Sequence, residues 1–351
     1  MLVEVVHATR DSFQPTIVAA GTVQAAQEVL LNPQVSGRVV EHAPEFVPGG
    51  YVEEGQTLLR IDPTDYRNTL KQRQGALRQV MADLELEMGR QDIAEEEYAL
   101  LDRELSRENA ALVLREPQLE AVRGRIRAAE ASVAQAELDL RRTTIKAPFN
   151  AHILSRDVNV GSQVSVSDTL AHLVGVDVFW VAVAVPLDKL RWVSLPESPK
   201  GEGSRVELRN RTAWPEGAVR RGHVYRLIAA LGERTRMARI LIEVPDPLAR
   251  RTTPSPEGPP LMIGEFLEAS IHGKELVDVV RLDRDFLRKG DTVWTMEGGR
   301  LRIRKVEVVV RDPVYAYLSR GLDEQHQVVT TNLATVTEGA RLRVEKPGLK
   351  E

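Results

Sequence analysis

Apolar residues recur at heptad spacing from residue 63 to residue 142. One core position holds Leu70, Leu77, Leu84, Gln91, Tyr98 and Leu105, then Leu112, Leu119, Ile126, Val133 and Leu140. The partner position holds Tyr66, Arg73, Val80, Glu87, Ala94 and Leu101, then Val122, Ala129 and Ala136. Mostly apolar residues at both positions over so many heptads indicate a coiled coil. Asp62 as a cap, with Pro63 at the first helical position, predicts its start.

The middle of this coil contains residues that end helices. The heptad phase runs straight through, which by itself favours one continuous helix. Against this, Ser106, Asn109 and Pro117 are cap and breaker residues, while Glu108 and Arg115 occupy core positions. A break between residues 103 and 117 would make two antiparallel arms. The pattern within the coil therefore leaves both structures open, with the hairpin somewhat favoured.

The segments on the two sides of the coil resemble each other. Residues 35–62 and 145–173 both alternate apolar and polar positions, which predicts short strands. Turn residues interrupt both segments, namely Gly37, Gly50, Gly55, Pro148 and Gly161. Two such half-motifs can pair into one β-sandwich only if the coil returns to its origin. A straight helix of ~80 residues would instead hold them roughly 120 Å apart. We therefore predict a hairpin.

The rest of the chain is rich in β-strand patterns. We predict strands at residues 179–185, 239–244, 292–296, 301–310, 327–331 and 340–344. Residues 245–260 contain six prolines and are predicted to form a surface loop. Residues 3–23 alternate in places and are expected to join one of these sheets. The fold class is therefore mainly β with a long helical hairpin.

Composition excludes several classes of function. A chain of 351 residues suggests two or three domains, and a net charge of −4 argues against a polycationic nucleic-acid-binding protein. The absence of cysteine rules out disulfides and thiolate chemistry. The longest apolar run, residues 178–187, is about half of a membrane span. No basic-then-apolar leader opens the sequence, so we expect any signal or anchor to lie outside it or not to exist.

No motif in the sequence predicts catalysis or a metal site. There is no G-x-S-x-G motif, phosphate-binding loop or recognisable pair of catalytic acids, so an enzyme is not expected. The seven histidines have no HxxxH or HxH spacing, although His152 and His172 flank one half-motif and could approach each other. We expect no metal and no cofactor.

The segment 200–253 is basic in an otherwise acidic chain. It holds 12 Lys or Arg against 6 Asp or Glu. Such a segment is either an ordinary solvated surface or a site for electrostatic docking to an acidic protein surface or anionic lipid headgroups. Sequence leaves both interpretations open.

Several short motifs, in order around the coil, resemble one known family. They are Gly21-Thr22-Val23, Pro33-Gln34-Val35-Ser36-Gly37-Arg38-Val39, Gly50-Tyr51-Val52-Glu53-Glu54-Gly55-Gln56, Ile61-Asp62-Pro63, Arg142-Thr143-Thr144-Ile145-Lys146-Ala147-Pro148-Phe149, Val183-Ala184-Val185-Pro186, Asp188-Lys189-Leu190, Arg320-Gly321-Leu322-Asp323 and Val328-Val329. The sequence resembles periplasmic adaptor subunits, or membrane fusion proteins, of tripartite efflux pumps of the resistance–nodulation–division (RND) class. The resemblance covers nearly the whole chain.

The resemblance implies four parts in an elongated, modular architecture. These are a membrane-proximal β domain (1–25 and 277–351), a split lipoyl-like or biotinyl-like domain (26–62 and 143–175), the α-helical hairpin (63–142) and a β-barrel (176–276). A true lipoyl domain carries an acylated Lys on a turn. Here Glu53 and Glu54 occupy the candidate turn, so the domain is expected to be a scaffold without a swinging arm. Ala151 and Arg281 stand where the family commonly has Gly and Pro.

Family members dock on the outer-membrane channel through the hairpin tip, often with Arg, Leu and Ser at set spacing. Arg103 matches the first of these, but Arg107 and Leu114 occupy the other two positions. The resemblance implies a docking site within 103–116, and its predicted residues are Arg103, Leu105, Ser106, Arg107 and Leu112.

The function implied is a non-catalytic link between an inner-membrane efflux transporter and an outer-membrane channel. The partners expected are these two proteins, the membrane surface and further copies of the chain in a trimeric or hexameric ring. The expected location is the periplasm, in association with the inner membrane. The alternatives are an adaptor of an ATP-driven exporter and an intracellular coiled-coil scaffold.

Overall fold

The computed structural model describes residues 1–100, 106–198, 201–231, 236–250, 258–333 and 337–344. The chain forms two compact units. One is Gln27–Gly175, and the other combines Met1–Ala26 with Val176–Glu351. No helix in these described ranges is long and apolar enough to cross a membrane.

The helices and strands are as follows, in chain order. The first strands are β1 (Leu2–Val3), β2 (Val5–His7), β3 (Arg10–Phe13), β4 (Thr16–Ala25), β5 (Glu28–Leu31), β6 (Gly37–His42), β7 (Tyr51–Val52) and β8 (Thr57–Ile61). Helices α1 (Thr64–Ala99), α2 (Arg107–Val113) and α3 (Glu116–Arg142) follow, then β9 (Thr144–Lys146), β10 (Ala151–Arg156), β11 (Gln163–Val164), β12 (Ala171–Gly175), β13 (Val178–Val185), α4 (Leu187–Leu190), β14 (Arg205–Arg209), β15 (Arg220–Leu231) and β16 (Ala238–Pro245). The last are β17 (Phe266–His272), β18 (Leu276–Asp283), a 3-10 turn (Arg284–Phe286), β19 (Leu287–Arg288), β20 (Thr292–Glu297), β21 (Arg300–Lys305), β22 (Glu307–Arg311), β23 (Tyr315–Arg320), β24 (Gln327–Val329) and β25 (Arg343–Val344).

The β-sandwich of the Gln27–Gly175 unit is built from both sides of the helical segment. One sheet has the order β5-β12-β10-β7 and the other β11-β6-β8-β9, so each contains two strands from before the helices and two from after. The core between them includes Leu58, Ile61, Ile153 and Leu173, all fully buried. Strands β8 and β9 pair directly, with Leu59 opposite Ile145. The helical segment therefore leaves and re-enters the sandwich at the same place.

Helices α1 and α3 pack against each other as a hairpin. Arg125 Nη1 on α3 lies 3.1 Å from Asp83 Oδ2 on α1, and Leu119, Val122 and Ala136 of α3 are buried. The hairpin predicted from the paired half-motifs is confirmed, and a continuous helix is excluded. The return arm has a break between α2 and α3, where Arg115 adopts a left-handed conformation with φ 58°. Such a conformation is costly for a residue with a Cβ, so it interrupts the helix at this point.

The second unit contains a closed six-stranded barrel with the order β13-β16-β15-β14-β17-β4. Inward-facing Val181, Val183, Ile240 and Ile242 are fully buried in its core. Strand β4 corrects the sequence-based division, which placed residues 1–25 in the membrane-proximal domain. It pairs with β13 and β17 along almost its whole length. Gly21 permits this close packing, because a Cβ there would lie 2.4 Å from the Ala182 carbonyl oxygen.

The other sheets of this unit form the terminal β domain, which we define as β2, β3 and β18–β24. They have the orders β22-β23-β18-β3 and β19-β20-β24-β2, and β21 pairs with β20. β1 and β25 form a separate parallel pair, with Leu2 opposite Arg343. Residues 3–23 thus enter several sheets rather than the one expected.

Some strand boundaries in this region also differ from the sequence prediction, and the predicted strand 327–331 ends at Val329. Residues 301–310 are two strands, because Val306 turns into the core and its amide donates to the Asp291 carbonyl oxygen at 2.9 Å. In the segment 340–344, only Arg343–Val344 is a strand.

Candidate functional site

The return arm of the hairpin begins with three of the predicted docking residues. Ser106 precedes α2, and its side chain makes no capping hydrogen bond. Ser106 and Arg107 are exposed, and Leu112 on the same short helix is 58% exposed. Arg103 and Leu105 lie outside the described residues. The structure therefore places Ser106, Arg107 and Leu112 on one exposed helix and its cap, where a partner could reach them.

The part of the hairpin far from the sandwich exposes large apolar side chains. Among the described residues, every exposed large apolar side chain on the hairpin helices and their caps lies between residues 81 and 113. These side chains are Met81, Leu86, Met88, Ile93, Leu100, Leu112 and Val113. Leu100, at the end of α1, is 86% exposed. Exposed apolar side chains grouped on one part of a surface are typical of protein contact sites. We call residues 81–100 and 106–113 the distal hairpin.

An ion pair lies between the arms beside the helix break. Arg115 Nε donates to Glu87 Oε1 at 2.7 Å, and Arg90 Nη1 lies 3.3 Å from Glu87 Oε2. The Glu87 side chain is only 8% exposed. Both Glu87 and Arg115 interrupt the apolar heptad pattern. In the structure these two charged residues pair with each other.

The hydrogen bond between these residues changes their proton affinities. The hydrogen bond from Arg115 holds the pKa of Glu87 below its usual value, with a smaller opposing effect of burial. The same hydrogen bond raises the pKa of Arg115. Charge-assisted hydrogen bonds of this kind favour the ionised form of both partners. The pair therefore stays charged at neutral pH.

The base of the hairpin is tied to the sandwich by polar contacts. Asp62 Oδ1 accepts hydrogen bonds from Thr64 Oγ1 at 2.7 Å and from the Thr64 amide at 3.0 Å. These two bonds lower the pKa of Asp62. Tyr66 donates to the Ser36 carbonyl oxygen at 2.7 Å, which joins the first turn of α1 to the sandwich. The Asp62 side chain thus holds the start of α1, although the helix itself begins at Thr64.

The predicted turn residues meet in two groups within the sandwich. The Gly55 amide donates to the Ala147 carbonyl oxygen at 2.9 Å, which brings the Gly55 turn next to Pro148. The Gly161 amide donates to the Val39 carbonyl oxygen at 2.8 Å, near Gly37, which pairs with Val164. Gly50 lies apart from both groups and receives a hydrogen bond from the Ile153 amide at 3.0 Å.

The turn that would carry an acylated lysine in a true lipoyl domain is held by hydrogen bonds. The Glu54 amide donates to Asn150 Oδ1 at 3.0 Å, and the Glu53 amide donates to Gln56 Oε1 at 2.9 Å. Since both turn residues are glutamates, the turn has no amine for attachment of a lipoyl or biotinyl group. In the structure, the hairpin leaves and re-enters this domain between β8 and β9.

The histidines singled out in the sequence are on neighbouring strands. His152 on β10 lies opposite Val174, whereas His172 on β12 lies opposite Ser155, so the two histidines are not paired in the strand register. His172 Nε2 lies 2.7 Å from Glu28 Oε1. Across the described ranges, no group of three or more His, Asp or Glu side chains is arranged to hold a metal ion.

Sequence reasoning missed the pairing of Glu87 with Arg115 as a feature of the hairpin. Both were visible as polar residues at apolar heptad positions. Which of them would meet depends on the position of the turn, which the sequence left open within 103–116.

Comparison with known proteins agrees with this architecture. A family model described as "RND MFP, barrel-sandwich hybrid domain" matches residues 27–175. The multidrug resistance protein MdtA of Salmonella typhi is 26% identical over 353 residues, covering 98% of this chain and 80% of the relative.

Two solved structures show the same fold. MacA from Actinobacillus actinomycetemcomitans has a TM-score of 0.69 at 20% identity, covering 93% of this chain and 99% of that chain. The membrane fusion protein Spr0693 from Streptococcus pneumoniae has a TM-score of 0.53 at 15% identity, covering 74% of this chain and 99% of that chain. The family model assigns residues 27–175 to the barrel-sandwich hybrid domain of RND membrane fusion proteins. Together with the MdtA relatives, this match supports a periplasmic adaptor of tripartite efflux pumps.

Proposed function

We propose that this chain is a non-catalytic periplasmic adaptor that links an inner-membrane transporter to an outer-membrane channel. One observation carries the proposal: a hairpin leaves and re-enters a single β-sandwich, and its distal half exposes large apolar side chains. An arm of 36 residues, the length of α1, extends about 54 Å at about 1.5 Å per residue. This reach suits a bridge between two partners. The distal hairpin is the part that contacts the channel.

The transporter in this proposal is of the RND class. The name of the family model that matches residues 27–175 supports this assignment. The relatives named multidrug resistance protein MdtA support the export of several compounds. An adaptor of an ATP-driven exporter is the alternative, and the captured transporter would distinguish the two.

The terminal β domain is the part we assign to the transporter and the membrane surface. Several copies of the chain would surround the transported compound as a trimeric or hexameric ring, through contacts between neighbouring sandwiches. Repeated contacts between unlike surfaces close into a ring when the rotation between neighbours allows it.

The absence of cysteine permits a direct test of the transporter assignment. Val277 in β18 is 71% exposed, so Val277→Cys can carry a thiol-reactive photo-crosslinker without disturbing a core. Crosslinking in the native host, followed by mass spectrometry, is expected to capture a proton-driven RND transporter. Asn68→Cys, at an exposed position near the hairpin base, serves as the matched control and should not capture it.

Capture of an ATP-binding transporter at Val277→Cys would overturn the RND assignment and keep the adaptor role. Capture of cytoplasmic proteins alone at this position would overturn both.

A further inference from the structure

A cleft of about 780 Å³, lined by both polar and apolar groups, lies on the outside of the barrel. Its lining includes Arg205 and Glu207 from β14, Arg221 from β15, His272 from β17, and Gln14 and Ser204. Its volume is within the range of sites for small molecules. None of the family features described above uses this cleft.

The barrel register brings the two arginines together. Glu207 lies opposite Arg221, and Arg205 lies opposite His223, two residues further along β15. Arg205 and Arg221 are therefore diagonal neighbours, at about 7–8 Å in a typical antiparallel pair. Both side chains are exposed on the outer face, because the intervening Val206 is buried in the barrel core. Their guanidinium groups can reach a common ligand.

The third strand adds a titratable group on the other side of Arg205. Val206 lies opposite Ile271 on β17, and the antiparallel register then places Arg205 opposite His272. β14 pairs with a strand on each side, which holds the backbone under these side chains. The cleft is thus fixed by the barrel itself.

The positive charges in the cleft are only partly offset by the protein. Within the described part of the chain, Arg205 and Arg221 make no ion pair and no side-chain hydrogen bond, although Glu207 is the cross-strand neighbour of Arg221. By contrast, Arg211 on the same barrel lies 2.8 Å from Glu268. With Glu207 as the one carboxylate in its lining, the cleft has an excess of free guanidinium donors.

We propose that this cleft binds a small molecule through a compact oxyanion group such as a phosphate. Guanidinium groups match the oxygen geometry of phosphate and can each donate two hydrogen bonds to it. Arg205 and Arg221 hold the oxyanion, while Ser204 and Gln14 line the remaining space. This inference goes beyond the adaptor role and does not depend on it.

Binding of inorganic pyrophosphate to the full chain, measured by isothermal titration calorimetry in low-chloride buffer, tests the proposal. The double variant Arg205→Gln/Arg221→Gln should bind about tenfold more weakly or worse, since it loses charge-assisted hydrogen bonds. Glu207→Gln should bind more tightly, because it removes the carboxylate that repels the ligand. Arg239→Gln, an exposed arginine on β16, changes net charge without touching the cleft and should leave binding unchanged.

A second experiment distinguishes a free molecule from a lipid headgroup as the source of the oxyanion. Sedimentation with phosphatidylglycerol vesicles compares wild type with the double variant. If the double variant loses pyrophosphate binding, the cleft is assigned to a free molecule. If the double variant loses only vesicle binding, the cleft is assigned to a lipid headgroup. The proposal is overturned if wild type binds neither probe, or if all four proteins bind equally.

Discussion

At the scale of single residues, the helical hairpin contains a charged pair between its arms. Glu87 and Arg115 meet at 2.7 Å, with the Glu87 side chain only 8% exposed. The Arg115 side chain is 34% exposed, so only the Glu87 end of the pair is buried. Removing Arg115 would leave the buried Glu87 carboxylate uncompensated, which is more damaging than replacing both partners. A polar pair at a core position also disfavours other alignments of two helices. We infer that this pair sets the register of the arms next to the break at Arg115.

The pair predicts a specific dependence of stability on pH. Because the pKa of Glu87 is lower in the folded chain than in the unfolded chain, its ionisation stabilises the fold above the unfolded pKa of about 4.3. That contribution is lost as pH falls through the folded pKa. We expect Glu87→Gln to melt at a lower temperature than wild type at pH 7, and the difference to shrink below pH about 4.

Circular dichroism at 222 nm as a function of temperature measures this difference. Glu85→Gln, at an exposed position on the same helix, is the matched control and should follow wild type at every pH. A Glu87→Gln deficit that is the same at pH 3 and pH 7 would contradict the assignment.

Two glycines predict opposite effects of substitution by alanine. At Gly50 a Cβ would lie 2.0 Å from the Glu45 carbonyl oxygen, so Gly50→Ala must displace backbone and should destabilise the sandwich by about 1–3 kcal/mol. At Gly124, within α3, a Cβ would meet nothing within 4 Å. Gly124→Ala should therefore stabilise the chain by about 0.5–1 kcal/mol, because alanine favours helix. Urea denaturation measures the change in the free energy of unfolding for both variants. If the two changes have the same sign, the local packing described at one of these glycines is wrong.

At the scale of helices and strands, the hairpin is well predicted because its pattern is long. Heptad spacing over 63–142 predicted both arms, and the matching half-motifs predicted their return to one sandwich. The sequence predicted a single break between residues 103 and 117. It did not predict that the return arm itself is interrupted at Arg115, since a left-handed arginine has no signature in a heptad pattern. The strand Thr16–Ala25 was assigned to the wrong domain because an alternating pattern shows which face is buried but not which sheet the strand joins.

The docking role of the hairpin tip stays a prediction, and the structure shows only which of its residues are exposed. Ser106, Arg107 and Leu112 followed from the resemblance and from the cap and breaker residues, while Arg103 and Leu105 lie outside the described residues. The exposed apolar residues of the distal hairpin, such as Met81 and Ile93, could not be predicted. Whether an apolar residue on a helix faces its partner arm or solvent depends on the alignment of the arms.

The pairing of β8 with β9 predicts that the sandwich can fold without the hairpin. Leu59 lies opposite Ile145 and Arg60 opposite Thr144, so a short glycine-rich turn can replace residues 64–142. We expect this variant to remain folded, with a cooperative thermal transition and an unchanged β signal by circular dichroism. It should fail to support efflux in cells, because it lacks the distal hairpin. Failure of the variant to fold would show that the hairpin is needed for the sandwich.

At the scale of the whole molecule, the surfaces assigned to different partners belong to different units. The hairpin is part of Gln27–Gly175, whereas the terminal β domain belongs to the unit that contains both chain ends. The chain passes between the units at residues 26–27 and 175–176. In the proposed role the chain acts through binding surfaces on stable scaffolds, and neither unit needs a reaction centre.

The proposed function depends above all on docking of the distal hairpin on an outer-membrane channel. Ser106→Cys, in a chain that has no other cysteine, can carry a photo-crosslinker at the start of the return arm in living cells. Mass spectrometry of the captured protein is the most direct measurement. We expect Ser106→Cys to capture an outer-membrane channel and Asn68→Cys, near the hairpin base, to capture none. Capture of only cytoplasmic proteins, or of the channel equally at both positions, would contradict the proposed docking.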